Sequence, residues 1–315
     1  MANSINGFYQ TVVSALGDSV KLLTPTHNAS KAIFWDFQPD QTGVLGQTIN
    51  AVIPADPTSA VADAGVGDMV LTDISFSTTP IVFNKHPQFG YVVRDFEQFN
   101  SPDQVRNVFL DAGIKGIMNN INAAVTALLV AGNFTPTAIA TTGGVITVPQ
   151  FLAGRAVLAD NYVDVNDVGN MSLILASTPA NKMMDGTTGG SGAAWTQAFI
   201  VGDRTASTIH EAGQVPVAFA TQFLLDQQMT TTGSAPTRTF IGALIHRYAV
   251  AGVSRALPKP DEKVVECTYI DFGNLSLRVM LGYNQIKGGW VVTIDCGYGL
   301  KVVRPTLGQI FSTAE

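Results

Sequence analysis

Between Lys85 and Phe99 the sequence KHPQFGYVVRDFEQF sets a histidine, an arginine, an aspartate and a glutamate among aromatic residues. These are the side chains from which general acid–base sites are built, and His86 with Arg94, Asp95 and Glu97 would supply the parts of such a network. Their place in the chain argues for another role. Asp95 and Glu97 precede Ser101, a residue suited to cap a helix, and carboxylates there face the positive end of the helix dipole. The stretch therefore reads as scaffold.

Other candidates fail on their own chemistry. HEAGQ, from His210 and Glu211, begins like a zinc-protease motif but has Gln214 where the second histidine ligand belongs. DVNDVG, from Asp164, imitates a calcium loop, yet Val168 holds a ligand position and Leu175 stands where the bidentate glutamate would be. GGSGA, Gly189 to Ala193, lacks the last glycine of a nucleophile elbow and the Lys-Ser/Thr of a phosphate loop. Cys267 and Cys296 are the two cysteines, with no CxxC spacing, which fits reduced thiols rather than a disulfide framework or a zinc site. The expectation is no catalytic residue, no metal, no cofactor and no enzymatic activity.

Composition explains what the motifs do not. Charged residues are 13% of the 315, against roughly 25% in ordinary soluble domains, while 46% are hydrophobic. A chain with so few charges cannot keep its whole surface wet, so extensive contact with partners is expected. The apolar run INAAVTALLVAG (Ile121 to Gly132) is too short to cross a bilayer and carries Asn122 and Thr126. The N-terminal stretch has no basic residue before Lys21, unlike a secretory signal, so cytosolic synthesis is expected. A net charge of −6 argues against a dedicated nucleic-acid binder. That charge is localised: Asp36, Asp40, Asp56, Asp63, Asp68 and Asp73 lie between Ala32 and Asn84 with no lysine or arginine among them, and the remaining acids equal the 18 bases in number.

The elements that must position these residues follow from periodicity. Residues 1–43 read as an arm with weak periodicity and one short helix through FYQTVVSAL. GQTINAVIP and MVLTDISFSTTP read as two strands of a long hairpin, polar on one face, joined by a Pro/Gly/Asp-rich connector. Ser101, Pro102 and Gln104 form the start signal of a helix, and Val105, Val108, Phe109, Ala112, Ile117, Ile121, Ala124, Val125 and Leu128 carry it to Gly132. That predicts about thirty residues and about 45 Å. Gly113 and Gly116 interrupt it, marking a bend or a close contact. Beyond Thr135 come helical GRAVLADNYV and TPANKMMD, strand-like SLILAS, the glycine-rich GTTGGSGAAW, and a strand-rich tail: VVECTYID, NLSLRVML, GWVVTID and GLKVVRP.

The order of these parts, with PIVFNKHPQFGYVVRDFEQF before a capped long helix and IDCGYGLKVVRP near the end, resembles tailed-bacteriophage major capsid proteins. The resemblance implies the α+β Hong Kong 97-like fold, shared with encapsulins. It maps residues 1–43 to an N-terminal arm, 44–90 to the extended hairpin loop, and 91–133 with 256–300 to a peripheral domain whose spine helix is 101–132. Residues 134–255 with 301–315 map to an axial domain.

The implied function is self-assembly, as hexamers and pentamers, into an icosahedral shell around double-stranded DNA, bound without sequence specificity. Assembly would occur in the host cytoplasm, and the product would be the virion. A portal protein and a decoration protein join the candidate partners. The family's cleavable scaffolding segment finds no room before the arm, so a separate scaffolding protein is expected. In the family the extended loop lies across a neighbour, so Asp56, Asp63, Asp68 and Asp73 are expected to meet Arg94, Arg106 and Lys115 of an adjacent subunit. No lysine lies between Lys31 and Lys85, which excludes the lysine-to-asparagine lock that some relatives place in this loop. An encapsulin-type compartment is the rival of the same fold. A soluble α/β hydrolase using His210 or Asp95 is the rival of another class.

Overall fold

The computed structural model describes residues 29–54, 76–94, 111–141, 144–167, 169–184, 217–229, 241–260, 265–272 and 275–313. The strands are β1 (Phe34–Thr42), β2 (Thr48–Pro54), β3 (Phe76–Val82), β4 (Gln88–Arg94), β5 (Ile139–Thr141), β6 (Met171–Ala176), β7 (Val217–Ala218), β8 (Thr221–Asp226), β9 (Gly242–His246), β10 (Val250–Ala256), β11 (Glu266–Phe272), β12 (Leu275–Asn284), β13 (Gly289–Val302) and β14 (Gly308–Thr313). The helices are α1 (Asp111–Thr126), α2 (Val148–Asp160) and α3 (Ser177–Met184).

One sheet runs β1-β10-β13-β12-β11 and is organised by β13. On one side β13 pairs with β12, and on the other it pairs first with β4 and then with β10. The sequence pattern read β13 as two strands, GWVVTID and GLKVVRP; they are one, because each half has a partner that continues the ladder. β1 joins this sheet in parallel with β10, so the last part of the expected arm is a strand of the body.

The second sheet runs β5-β14-β9-β6-β8-β7. Its central strands β6 and β9 are apolar and buried on both faces, as SLILAS suggested, and a single core unites this sheet, α1 and the first sheet. α2 starts at Val148, earlier than the helical reading from Gly154. Thr147 accepts the Gln150 N–H, and the Gln150 side chain reaches back to the Thr147 N–H, a capping box that fixes the start.

α1 lays Ile114, Ile117, Met118, Ile121 and Val125 into the core. Its predicted start, Ser101 to Leu110, lies outside the described residues. It ends at Thr126 rather than Gly132. From there the N–H groups of Leu128 and Leu129 bond three residues back, and the Asn133 side-chain amide takes the freed Leu128 carbonyl at 2.9 Å. Local bonds that tighten the last turn thus win over continued helix.

The two helix glycines differ. A Cβ on Gly113 would stand 2.2 Å from Phe89 Cδ1, whereas one on Gly116 would meet nothing within 4 Å. Gly116→Ala should therefore stabilise the subunit by about 0.5–1 kcal/mol through helix propensity. Gly113→Ala should destabilise it by about 1–3 kcal/mol, because the Phe89 ring must move. Urea unfolding of both variants checks the opposite signs.

The hairpin of β2 and β3 is antiparallel, with Thr48 opposite Val82 and Pro54 opposite Phe76. Its connector, residues 55–75, lies outside the described residues.

Candidate functional site

Among the described residues His86 meets a partner that the sequence did not suggest. Its Nε2 lies 3.0 Å from Asp295 Oδ2, on β13. Asp295 is buried and is gripped by Arg278, which sits directly opposite it on β12. Arg278 Nε donates to Oδ1 at 2.9 Å and Nη2 to Oδ2 at 2.6 Å, a two-point charge-assisted contact, while Nη1 donates to the Pro258 carbonyl. Its hydrogen bonds to Asp295 raise the Arg278 guanidinium above its ordinary value, against the lowering effect of burial. Arg94 ends β4 opposite Gly289, and Asp95 and Glu97 lie outside the described residues. The opening stretch thus belongs to a polar junction between the hairpin's return and the first sheet.

Two more junctions join distant segments. Arg255, buried on β10, donates through Nη2 to Asp36 Oδ2 and through Nη1 to the Asp36 carbonyl, both at 2.7 Å. Asp36, about a third exposed, is thus paired with a buried arginine of the same chain.

Asp226, at the end of β8, is fully buried, as is Asn122 on α1. Asp226 accepts the Ala29 N–H at 2.8 Å, the Gln228 N–H at 2.8 Å and the Asn122 amide at 2.9 and 3.0 Å. The Asn122 carbonyl oxygen in turn accepts the Ser30 N–H at 3.1 Å. Arm root, spine helix and second sheet meet in this cluster.

Sequence reasoning missed all three junctions as sites. The available signal was a lone polar residue in an apolar run: Asn122 in INAAVTALL, Asp226 in FLLD, Asp295 in VVTIDCG. Such a residue, when buried, needs a partner.

Of the residues singled out for contact with neighbours, Lys115 is exposed on α1, and Arg94 closes β4. Asp56, Asp63, Asp68, Asp73 and Arg106 lie outside the described residues, as do His210, Glu211, Gln214 and Gly189 to Ala193. Asp164 and Asp167 spend their oxygens on the turn itself, accepting from Asn166, Gly169 and Asn170. Among the described residues no group of three or more His, Cys, Asp and Glu is placed to hold a metal ion. Burial pushes the Cys296 thiol up to about 12 and raises Cys267 as well, which makes both poor nucleophiles.

His246, at the end of β9, accepts the Tyr248 N–H on Nδ1 at 3.3 Å. Burial lowers its pKa, against the opposing pull of Asp167 and Asp164, and Arg304 adds to the lowering. The unfolded chain therefore binds the proton more readily, and stability should fall as pH drops from the ordinary histidine value of 6.5 towards the lower folded value. A pH series of melting temperatures checks this: His246→Asn, which keeps an acceptor but cannot titrate, should lose that slope.

Exposed apolar side chains gather on the hairpin and its root, namely Val44, Leu45, Val52, Phe76 and Val82. Ile286, at the turn between β12 and β13, is 98% exposed, with Tyr283 beside it half exposed. A groove of about 530 Å³ between the hairpin and the β1–β10 edge is lined by Phe34, Ile49, Val52 and Val253, with Asp36 and Arg304 among its walls. No enzyme-like cluster accompanies this groove among the described residues. Exposed apolar surface of this kind suits association with another surface.

Neither a family model nor a curated protein matches the sequence. Solved structures match the fold. The asymmetric unit of the bacteriophage PhiM1 mature capsid superposes with a TM-score of 0.56 at 8% identity, over 91% of this chain and 87% of that one. The capsid of Ralstonia phage GP4 gives 0.54 at 10% identity, over 91% of each chain. The capsid of cyanophage P-SCSP1u gives 0.54 at 11% identity, over 90% of this chain and 87% of that one. With two sheets and helix α1 on one core and a two-stranded hairpin beside them, this chain has the α+β Hong Kong 97-like fold of phage capsid proteins.

Proposed function

We propose that the chain is a major capsid protein that assembles, as hexamers and pentamers of itself, into an icosahedral shell enclosing the double-stranded DNA of a tailed phage. The observation that carries this reading is the superposition on phage capsid subunits over about nine tenths of the chain. The low charge content and the apolar side chains left exposed on a projecting hairpin support it, because a subunit that is covered by its neighbours needs little polar surface there. The role is structural. Assembly takes place in the host cytoplasm with a separate scaffolding protein and a portal protein, a decoration protein is a candidate partner, and the product is the virion.

Within the shell the acidic connector, with Asp56, Asp63, Asp68 and Asp73, lies across a basic surface of the adjacent subunit that includes Arg94, Arg106 and Lys115. Exposed ion pairs contribute only about 0–1 kcal/mol each, so their role is steering and registry, repeated around every capsomer. Electron microscopy of the purified chain, with and without its scaffolding protein, tests the reading. Shells, tubes or capsomers are expected, and a monodisperse monomer under both conditions would refute it. Replacing Asp56, Asp63 and Asp68 with lysine should leave the subunit folded yet impair assembly most at low salt, where screening is weakest. Assembly equal to the parent at every ionic strength would remove the electrostatic part.

A further inference from the structure

The hairpin of β2 and β3 pairs with no third strand among the described residues, and apart from the packing of Ile49, Ala51 and Ile81 against Ala251 and Val253 its attachment to the body is made at its root. Both stalks are hydrogen-bonded there. The Gly46 N–H donates to the Phe83 carbonyl at 2.7 Å and the Phe83 N–H to the Gln47 carbonyl at 2.9 Å, which ties stalk to stalk. The Gly43 N–H donates to the Ala256 carbonyl, and Lys85 and Tyr298 exchange both backbone bonds at 3.0 Å, which ties each stalk to the first sheet.

At the centre of this lacing, Phe83 is 0% exposed, and its surroundings are glycines. A Cβ on Gly297 would stand 2.3 Å from the ring Cζ, and one on Gly43 would stand 2.9 Å from the same atom. A Cβ on Gly299 would stand 2.4 Å from the Val82 carbonyl oxygen. Approaches this close exist only where no side chain stands in the way. Strand alternation puts Gly297 and Gly299 on one face of β13 and Tyr298 on the other, where its hydroxyl donates to Asn120 Oδ1 on α1 at 2.9 Å. The Gly-Tyr-Gly step thus receives the hairpin root on one side and the spine helix on the other.

We propose that Phe83, seated in the socket of Gly43, Gly297 and Gly299, is a keyed joint that sets the hairpin's angle within the subunit. A neighbouring copy then meets a hairpin already aimed, which lowers the ordering cost of association. That consequence rests on the shell reading, whereas the joint itself does not. The opposite design would be a free hinge whose angle is imposed by the neighbour, and a stalk with unpaired backbone and an exposed root would serve it.

The test is an intrachain distance. Spin labels at Val52→Cys on the hairpin and Lys115→Cys on α1, in a Cys267→Ser background, are placed on a small fraction of chains diluted into unlabelled protein. Pulsed electron spin resonance then reads single subunits in any state of assembly. With the parent joint one narrow distance is expected. Gly297→Ala, which fills the socket, should shift its centre, and Phe83→Ala, which empties it, should broaden it. Where Phe83→Ala does not fold, Phe83→Leu, which stays apolar but lacks the ring, takes its place, with Gly299→Ala as the second filling variant. A parent distribution as broad as that of the emptied joint, or variants that leave centre and width unchanged, overturns the proposal. Microscopy of the same samples separates the two readings. Shifted distances without shells keep the joint and sink the capsid function, and shells with unshifted distances do the reverse.

Discussion

Asp295→Ala should lower the unfolding free energy of the unassembled subunit by about 3–5 kcal/mol. The carboxylate is buried between two strands, and its removal leaves the Arg278 guanidinium facing a cavity with the Pro258 carbonyl as its one remaining acceptor of those seen here. An arginine guanidinium has an ordinary pKa far above neutral, so it cannot escape by losing its proton. His86→Ala should cost much less, about 1 kcal/mol, because its side chain is 30% exposed and water can replace it. The double variant Arg278→Met with Asp295→Leu removes both charges and should recover most of the loss. Guanidinium unfolding of the three variants decides the matter, and equal losses for Asp295→Ala and His86→Ala would show that the junction is not the electrostatic anchor described.

Asp226→Ala should be comparably damaging for a different reason. Here no cation is stranded. Instead the N–H groups of Ala29 and Gln228 lose their acceptor, and the Asn122 amide keeps only Gln228 Oε1, around a place where Asp226 and Asn122 are fully buried. Each unsatisfied donor costs about 1–3 kcal/mol, and neighbouring losses do not add fully, so about 3–5 kcal/mol in total is expected. Asp226→Asn retains one carbonyl oxygen and should lose about half as much. The specific readout is amide hydrogen exchange at Ala29 and Ser30. Because those amides are held by Asp226 and Asn122, their protection should collapse before that of the β6 core. Protection that falls evenly over the chain would mean Asp226 supports the body and not the arm root.

Several elements were legible along the chain because their causes are local. GQTINAVIP and the alternation in MVLTDISFSTTP marked two hairpin strands, of which Thr48–Pro54 and Phe76–Val82 are described, the spacing of Ile117, Ile121 and Val125 marked one face of α1, and the apolar run SLILAS marked a buried central strand. Each depends on neighbours within a few residues, so the pattern is written where the element lies. Two boundaries that differ from the periodicity also have local causes: the Thr147–Gln150 capping box ahead of α2, and the Asn133 side chain that takes the Leu128 carbonyl after α1.

The junctions were illegible for a reason of distance. His86 and Asp295 are 209 residues apart, Asn122 and Asp226 are 104 apart, and Asp36 and Arg255 are 219 apart. Nothing near Asp295 in the chain says that it will receive an arginine from β12 and a histidine from the hairpin's return. That follows from the register of two strands and from the root of the hairpin crossing β13. The contrast between the two spine glycines has the same origin, since only the position of Phe89 on β4 separates Gly113 from Gly116. The low charge content, the hairpin strands, one face of α1 and the order of the parts could all be read along the chain. Which buried charges pair, and which glycine seats which ring, was decided by the packing of the sheets against α1 and the hairpin root, because a buried polar or crowded group is satisfied only by whatever the fold brings within about 3 Å of it.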